Sequence, residues 1–583
     1  MVKRTPVPAA SKPQPPLGTL ARLTQGTLRS CSIGALPILH SFFQRMNLEA
    51  ILQTHLPPED RRTRVPFARA LLLLVSNLLI AREPLYGLGE WAARFDPRQL
   101  GLSAEQVLAL NDDRVGRCLT AFFGCNRPAF ILDLIRHVIG AFHLNLDELH
   151  NDSTTVSFFG AYREAAEEKK RRGQTTPAIT WGHSKDHRPD LKQLLYILTI
   201  TTDGSVPIHY RAASGNVTDD TTHRDNWNLL CQIAGHRDFL YVADCKLATM
   251  ENMSFIAGKG GRFVSVLPRT RKEDAAFRAR LLQGEIRWQP LWAKYDDRGE
   301  VSDYFTVAEG PLATPEGYRL WWFASTQKTE LDLAARSIRL QRAEQRLRQL
   351  QEKLRSPRTR LRDRGKVEEA VTKILESSEM TEFIKVTLNE RQEETYRQRH
   401  RGWPGKNTEY VKKVIRRLAL AYTIDAEQLA RERKTDGIFP LVTNDLQLSA
   451  MAVLHAYKAQ PQIEKRFEQL KTDFEVAPVF LKDVGRIEAL LGVYFLVLLV
   501  EALIERKLRE AMTHHQIESL PLYPEGRPCR HPTTRRVIDL FEPIQRHTLE
   551  QAGSEPTCHI TELSPLQRRI LRLLGVADTS YRC

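Results

Sequence analysis

The chain has 583 residues, and its 85 Lys and Arg against 70 Asp and Glu residues give a formal net charge of +15 and a pI near 9.4. This length is too great for one hydrophobic core, so we expect several domains, and the positive charge favours polyanionic partners. The apolar runs at 70–81 and 489–500 are shorter than the roughly 20 residues that cross a bilayer, so we interpret both as core helices.

The N-terminal part is predicted to be helical after a short arm. Residues 1–32 begin with a Pro-rich, basic stretch that lacks the apolar segment of a signal peptide, which indicates a disordered basic Pro-rich arm. Residues 33–145 carry apolar side chains at helical spacing, interrupted by Gly, Pro and Asp, which predicts an all-helical domain. This domain either binds DNA, for instance through a helix-turn-helix within 103–119, or serves helical packing and dimerisation.

Residues 146–268 predict the first part of an α/β core. A β-strand around Asp152 precedes a hairpin at Asp203–Gly204 and a helix, and a buried strand then ends on Asp244, followed by a second helix and a further strand. The predicted succession is therefore strand, strand, strand, helix, strand, helix, strand.

Residues 269–436 interrupt this core as a predicted insertion domain of mixed α+β type. Strand-like pieces surround a charged helical pair at 330–355 and 366–377, which is a solvated arm or a dimer contact. The tryptophans of this region fit core packing better than base stacking, because Trp in an alternating strand is usually buried. They are Trp288, Trp292, Trp321 and Trp322. Residues 437–512 return to the core and include a further helix, and residues 513–583 are a C-terminal tail.

The cysteines of the chain are spread without a CxxC pair. We therefore expect neither disulfides nor a zinc ribbon, and we infer a reducing compartment. The weaker alternative is a metal site at Cys529, His531, Cys558 and His559.

Polar residues in and before the helix at 461–474 are spaced for a functional site. Glu464 and Lys471 are seven residues apart, which places them on one face about two turns apart at 3.6 residues per turn. Tyr457 and Gln460 precede them. The apolar stripe beside them consists of Ile463, Phe467, Leu470 and Phe474. Such a charged pair is common on solvated helices and does not by itself indicate a functional site. The two upstream aspartates, Asp152 and Asp244, are what favour one.

This segment resembles the Tyr-Arg-Glu-Lys signature of bacterial DDE-type insertion-sequence transposases, with Gln460 in the place of Arg. The block GHSKDHRPDLKQ at Gly182–Gln193 is similar to one that is characteristic of the insertion-sequence sixteen-thirty-four type, which is related to the insertion-sequence-four type. KTDGIFPLVTND at Lys434–Asp445 resembles the lead-in to the catalytic helix. Together these blocks cover roughly residues 146–512.

The resemblance implies an α/β fold with an RNase H-like catalytic core, an all-helical N-terminal domain and a mixed α+β insertion domain. In that core, carboxylates on the first strand, after the fourth strand and on a later helix hold two divalent cations. Asp152, Asp244 and Glu464 fall in these positions. We expect them to be the catalytic residues and the ligands of two Mg²⁺ ions, with Mn²⁺ as a substitute, because oxygen ligands select these hard cations.

Six side chains are expected to contact DNA. Lys471 presents a point charge for a terminal phosphate, and the loop at 182–193 is basic. Zinc binding by the histidines of this loop is the alternative, although no further ligand stands at a suitable spacing. Gln460 is expected to point its amide toward Glu464, so Lys471→Ala should weaken cleavage more than Gln460→Ala. The predicted DNA-binding residues are Lys471, Tyr457, Gln460, Lys185, Arg188 and Lys192.

These features predict a transposase that binds the inverted repeats of its own element, cleaves a strand at each end and joins the freed 3′-hydroxyl to target DNA. The resemblance places terminal-repeat binding in residues 33–145. The expected partners are double-stranded DNA and a second copy of the chain in a homodimeric synaptic complex, with no membrane, and the expected location is the cytoplasm, at the nucleoid. Two alternatives stay open: an RNase H-like metal-dependent nuclease without transposition, and an inactivated copy that acts as a DNA-binding repressor.

Overall fold

The structure is a computed structural model that describes residues 19–582 apart from 24, 25, 297, 311, 357, 358, 360, 478 and 524. The described residues form a mixed α/β fold with a multi-stranded mixed sheet. The chain divides into two compact units, one formed by Met1–Ser265 with His455–Cys583 and the other by Val266–Leu454. The predicted insertion at 269–436 falls inside the second unit.

The helices occur in both units. In chain order they are α1 (Leu36–Arg45), α2 (Leu48–His55), α3 (Phe67–Ile80), α4 (Leu88–Ala92), α5 (Ala104–Leu108), α6 (Asp112–Gly124), α7 (Arg127–Phe142), α8 (His223–Ala234), α9 (Met250–Gly258), α10 (Lys272–Leu282), α11 (Thr326–Arg355), α12 (Arg364–Ser377), α13 (Ala426–Arg433), α14 (Ala450–Lys458), α15 (Pro461–Glu468), α16 (Val484–His514), α17 (Thr534–Phe541) and α18 (Pro565–Leu574).

The strands are distributed over both units as well. In chain order they are β1 (Thr19–Leu23), β2 (Gly26–Ser32), β3 (Glu148–Phe158), β4 (Lys169–Arg171), β5 (Gln174–Thr176), β6 (Lys192–Thr201), β7 (Pro207–Ser214), β8 (Leu240–Ala243), β9 (Arg262–Val266), β10 (Trp288–Tyr295), β11 (Val301–Ala308), β12 (Leu312–Ala313), β13 (Arg319–Ser325), β14 (Ile384–Gln398), β15 (Tyr410–Ile424), β16 (Ile438–Thr443), β17 (Gln545–Gln551) and β18 (Thr557–Ile560).

Strand β3 is central in the main sheet of the first unit, whose order is β7-β6-β3-β8-β9. Strands β3, β6 and β7 are antiparallel, whereas β8 runs parallel to β3 and β9 runs parallel to β8. Every residue of β6 is buried, as expected for a strand that is covered on both faces. The elements predicted from sequence between residues 146 and 268 are present in the predicted order, with β3 as the first strand.

Helix α16 is the apolar centre of the first unit and packs against α3 and α6. The runs predicted as core helices, 70–81 and 489–500, lie in α3 and α16 except for residue 81, and residues 70–79 and 489–500 are buried, which confirms that interpretation. Among the described helices, α16 alone is long and apolar enough to cross a membrane, and its apolar window is fully buried in the protein. Two bent helix pairs, one beginning with α3 and one formed by α6 and α7, reach that length only if each pair is counted as one span.

The termini of the described chain meet in a second sheet, of order β1-β2-β17-β18. Residues 19–23 and 26–32 are therefore strands and not part of a disordered arm, because β2 pairs along its length with β17 of the predicted tail. Such long-range pairing leaves no local sequence signal. The arm residues 1–18 lie outside the described residues.

Most of the cysteines follow the expectation from their spacing, and one does not. The free cysteines are Cys31, Cys118, Cys125, Cys231, Cys245 and Cys529. Cys558 is disulfide-bonded, so the expectation of no disulfides is wrong at this residue. Which cysteine pairs with Cys558 depends on tertiary structure, which the spacing of cysteines does not show.

The second unit combines a sheet of order β10-β11-β13-β16 with a separate two-stranded hairpin of β14 and β15. The predicted helical pair appears as α11 and α12. Its apolar side chains pack on the base of the hairpin through a core that contains Leu347, Val367, Ile384 and Leu418, so the pair is not a solvated arm. Trp322 stacks on Phe277 with a centroid distance of 3.8 Å, in agreement with core packing.

Candidate functional site

Asp152 and Asp244 lie at neighbouring positions on two parallel strands. The register of β3 and β8 pairs His150 with Val242 and Asn151 with Ala243, so the next residue on each chain is one of the two aspartates. Neighbouring strands are about 4.8 Å apart, and side chains at equal register in parallel strands point to the same face. The two carboxylates therefore lie side by side on one face of the sheet.

Burial and mutual repulsion dominate the electrostatics of this pair. Burial raises the pKa of Asp152, and the positive charge of Lys185 opposes that rise. Burial also raises the pKa of Asp244, to about 6, and the negative charge of Asp152 adds to the increase. Two carboxylates that disfavour each other's ionised form are stabilised by a cation placed between them.

The ammonium group of Lys185 lies instead between Asp152 and a third carboxylate, Asp219. Its Nζ lies 3.3 Å from Asp152 Oδ1 and 3.1 Å from Asp219 Oδ2. It also donates to the carbonyl oxygen of Ser153 at 2.7 Å and to Ser153 Oγ at 2.8 Å. Burial lowers the pKa of Lys185, but the negative charges of Asp152 and Asp219 outweigh burial and raise it, so the amine stays charged.

Asp219 is a site residue that the sequence analysis missed. It begins a short 3-10 turn, Asp219–Thr221, just before α8, and its Oδ1 accepts a hydrogen bond of 2.5 Å from Ser153 Oγ. The only available signal was the acidic start of the helix in TDDTTHRD, which is also typical of an ordinary helix N-terminus. In this structure the ammonium of Lys185 faces the carboxylates, and its contact with a phosphate stays a prediction.

The N-terminus of α15, the helix that carries Glu464, is attached to β3. Gln460 is the N-cap residue and Pro461 the first helical residue, as expected. The side chain of Gln460 is buried: its Oε1 lies 2.8 Å from His150 Nδ1, and its Nε2 donates to the carbonyl oxygen of Asn151 at 3.2 Å. The expectation that this amide points toward Glu464 or DNA is wrong, because buried groups of β3 take up its hydrogen bonds.

Glu464 lies one turn after Gln460 and is exposed. Tyr457, on α14, is close to both Glu464 and Asp244: burial raises the Tyr457 pKa, and the negative charges of Cys245, Asp244 and Glu464 raise it further. Within the described residues, no group of three or more His, Cys, Asp or Glu side chains is close enough together to hold a metal ion. The structure thus brings Asp152 and Asp244 together, with Glu464 in their neighbourhood but not gathered against them.

The opposite face of α15 is fixed by a buried ion pair. Arg466 Nη1 lies 3.2 Å from Glu505 Oε2 on α16, and the two side chains are only 4% and 3% exposed. Arg466 also donates through Nε to the carbonyl oxygen of Ser205 at 3.0 Å. Because Arg466 is two residues from Glu464, these contacts determine where the glutamate is held.

The other predicted DNA contacts differ in accessibility. Lys471 lies in a π-helical turn, Gln469–Asp473, and its Nζ is 2.5 Å from Asp186 Oδ1. Arg188 is exposed and pairs with Asp190 at 2.7 Å. Lys192 is buried on β6 and donates to the carbonyl oxygen of Ala161, and its contact with DNA stays a prediction. Lys471 and Arg188 keep accessible side chains.

In buffer without divalent cations, Lys185→Met is expected to lower the free energy of unfolding by about 1–2 kcal/mol, because Asp152 and Asp219 lose their counter-charge. This is less than the cost for a fully buried pair, since the three side chains retain some exposure. Mn²⁺ should raise the melting temperature of the variant more than that of the wild type, because no ammonium has to be displaced. Thermal unfolding with and without Mn²⁺ measures this, with Arg188→Met as the control; equal Mn²⁺ shifts in all three proteins would contradict it.

Gln460→Ala is now expected to be more damaging than Lys471→Ala, the reverse of the expectation from sequence. The first change leaves buried groups of His150 and Asn151 without a partner, at a cost of about 1–3 kcal/mol, and loosens α15. The second removes a partly exposed ion pair worth less than about 1 kcal/mol. Thermal unfolding and strand cleavage of both variants, with Lys465→Ala as an exposed control, decide the order. Normal stability of Gln460→Ala together with weak cleavage by Lys471→Ala would restore the original expectation.

Comparison with known proteins assigns no activity to the chain. A family model described as a domain of unknown function (DUF4277) matches residues 28–136, which contain helices α1 to α6 and part of α7. The match includes none of the three carboxylates predicted to be catalytic. No curated protein matches the chain.

Proposed function

We propose that the chain is a DDE-type transposase that cleaves DNA at the ends of its own element and joins those ends to target DNA. The observation that carries the proposal is the register of β3 and β8, which makes Asp152 and Asp244 neighbours on one face of the sheet. The attachment of α15 to β3 through Gln460 supports a role for Glu464 beside them.

The sheet of the first unit supports an RNase H-like core. Three antiparallel strands are followed by two parallel strands with helices between them, and the carboxylates lie on the first strand, after the fourth strand of this series and on a later helix. These are the three positions that hold metal ions in enzymes of that fold. The same arrangement would serve a nuclease, so strand transfer is the activity that separates the two functions.

The donor set fits magnesium. Asp152, Asp244 and Glu464 supply oxygen ligands only, and the ammonium of Lys185 marks a place where a cation is already held by carboxylate and hydroxyl oxygens. Two bound Mg²⁺ ions would activate the attacking hydroxyl and stabilise the leaving oxygen of a phosphodiester. In this proposal Asp152 and Asp244 hold the ions from a rigid sheet, Glu464 completes the ligand set, and Gln460 and Arg466 position its helix.

The proposed partners are double-stranded DNA, as terminal inverted repeats and as target, and a second copy of the chain in a synaptic homodimer. A net charge of +15 supports a polyanionic partner. The proposed location is the cytoplasm, at the nucleoid.

The test uses the purified full chain and DNA that carries the inverted repeats flanking its gene. We expect cleavage at the repeat ends and strand transfer into plasmid DNA with Mg²⁺ or Mn²⁺, and binding without cleavage in Ca²⁺, whose longer and looser coordination misplaces the reacting oxygens. Cleavage without strand transfer would favour the nuclease. Absence of inverted repeats around the gene, or equal cleavage in Ca²⁺, would contradict the proposal.

A further inference from the structure

The hairpin of β14 and β15 extends far beyond its packed base. Both strands are 15 residues long, and they pair continuously from Ile384 with Ile424 to Gln398 with Tyr410. Near the base, Leu418 and Leu420 are buried against α11 and α12. No residue from 391 to 417 is buried, and we call this segment the distal ribbon. At about 3.3 Å per residue, the ribbon projects roughly 40 Å.

The distal ribbon is strongly basic. It contains nine Arg and Lys residues against three Glu residues and no Asp, which gives a net charge of +6. Its three glutamates are already paired, with Arg399, Lys412 and Arg417. In the part of the chain that the structure describes, the exposed cations of Arg397, Arg401, Lys406, Lys413 and others have no carboxylate partner.

The tip of the ribbon presents an uncovered aromatic ring. Trp403, in the loop sequence RHRGWPGK, has 99% of its surface exposed, whereas Trp322 in the same unit is buried. Tyr396 and Tyr410 below it are 59% and 53% exposed. A fully exposed indole gains nothing in the free protein, but its faces are suited to stacking on a nucleobase.

We propose that the distal ribbon is a DNA-binding arm: its cations hold the phosphate backbone, and Trp403 stacks on an unpaired base. A two-stranded ribbon fits the major groove, which is about 12 Å wide. Stacking needs an accessible base face, which duplex DNA offers at an end, a frayed step or a single-stranded stretch. The inference takes DNA from the proposed function but does not depend on the carboxylate site.

A second copy of the chain is the competing occupant, since both edges of the ribbon are free and Val411 and Val414 are exposed. Charge argues against it. Two ribbons that each carry +6 repel one another, and Lys and Arg on edge strands are a common means of preventing strand pairing between copies. The same charge attracts a polyanion.

The experiment measures the binding of full-length protein to two fluorescein-labelled DNAs, a fully paired duplex and the same duplex with a short single-stranded overhang. Trp403→Ala is expected to weaken binding to the overhang DNA by about 5- to 150-fold, which is the loss of affinity expected when one base loses its stacking partner. Binding to the paired duplex should change little. Tyr86→Ala, which removes an aromatic ring that is 78% exposed in the first unit, is the matched control and should bind both DNAs normally.

The charge contribution is tested with the triple variant Arg397→Ala, Arg401→Ala and Lys406→Ala. A plot of the logarithm of the DNA-binding constant against the logarithm of the salt concentration should become less steep by about 2 to 3 units of slope. Each lost phosphate contact reduces the steepness by about 0.7 to 0.9. The matched control also removes three exposed cations from the second unit, at α11 and α12. Its substitutions are Arg342→Ala, Lys353→Ala and Lys373→Ala.

Three outcomes would overturn the inference. They are unchanged binding by both ribbon variants, an equal slope change in the control triple variant, and conversion of a dimer to a monomer by the ribbon variants, seen by light scattering, with normal DNA binding. The inference and the proposed function fail separately. If Asp152→Asn still cleaves DNA while Trp403→Ala loses overhang binding, the catalytic assignment is wrong and the ribbon assignment stands.

Discussion

Asp152→Asn, Asp244→Asn and Glu464→Gln are each expected to reduce Mg²⁺-dependent cleavage of end DNA by about 1000-fold or more, which corresponds to about 4 kcal/mol in the barrier. Each change removes the charge of a proposed metal ligand while the side chain keeps its shape. DNA binding should persist, because no positive charge is lost from the protein. Strand cleavage and anisotropy on the same DNA measure the two effects.

The sharpest control for this series is Glu468→Gln. Glu468 is exposed and lies one turn beyond Glu464 on α15, so its variant removes the same charge from the same helix. It should cleave normally. Cleavage by Glu464→Gln at the rate of Glu468→Gln would show that the position on the helix does not matter, and the proposed triad would be abandoned.

Arg466→Met is expected to lower the free energy of unfolding of the first unit by about 3–5 kcal/mol. The change leaves Glu505, whose side chain is 3% exposed, with only the longer 3.5 Å contact to Arg509 as a counter-charge, and breaking a buried ion pair costs up to this amount. Burial and the neighbouring charge of Glu505 already raise the pKa of Glu501 to about 8. A further unpaired negative charge in this region is therefore energetically unfavourable. Chemical denaturation measures the loss.

Two further variants identify the cause. Arg466→Met combined with Glu505→Gln should recover part of the stability, because no unpaired charge remains. Arg535→Met breaks the more exposed pair with Asp539 and should cost less than about 1 kcal/mol. An Arg466→Met variant that is no less stable than Arg535→Met would mean that the buried pair does not hold α15.

The core elements around the aspartates were predictable because their signals are local. Strand β6 is a continuous apolar run, Asp203–Gly204 marks a tight turn, and β8 is a short buried strand with a helix before and after it. Local periodicity also predicted α11 and α12. It did not predict the pairing of β2 with β17, since strands more than 500 residues apart carry no mark of each other.

The contacts within the candidate site were not predictable from the sequence. The resemblance to the transposase signature singled out Asp152, Asp244 and Glu464, while residue type and spacing gave the helical face of Glu464 and Lys471. They did not indicate that Lys185 faces inward or that Gln460 bonds to β3, because the direction of a side chain depends on which buried groups lack partners. For the same reason Asp219 escaped notice.

The first unit is discontinuous in sequence, so its two segments are synthesised at different times. The ribosome must add about 190 residues of the second unit after Ser265 before the rest of the first unit begins at His455. At bacterial and eukaryotic synthesis rates of about 5–20 residues per second, this delay is roughly 10–40 s. Throughout that interval α3 and α6 lack the apolar surface of α16, and the aspartates lack α15. A nascent chain therefore cannot assemble the carboxylate site until the second unit has been translated in full.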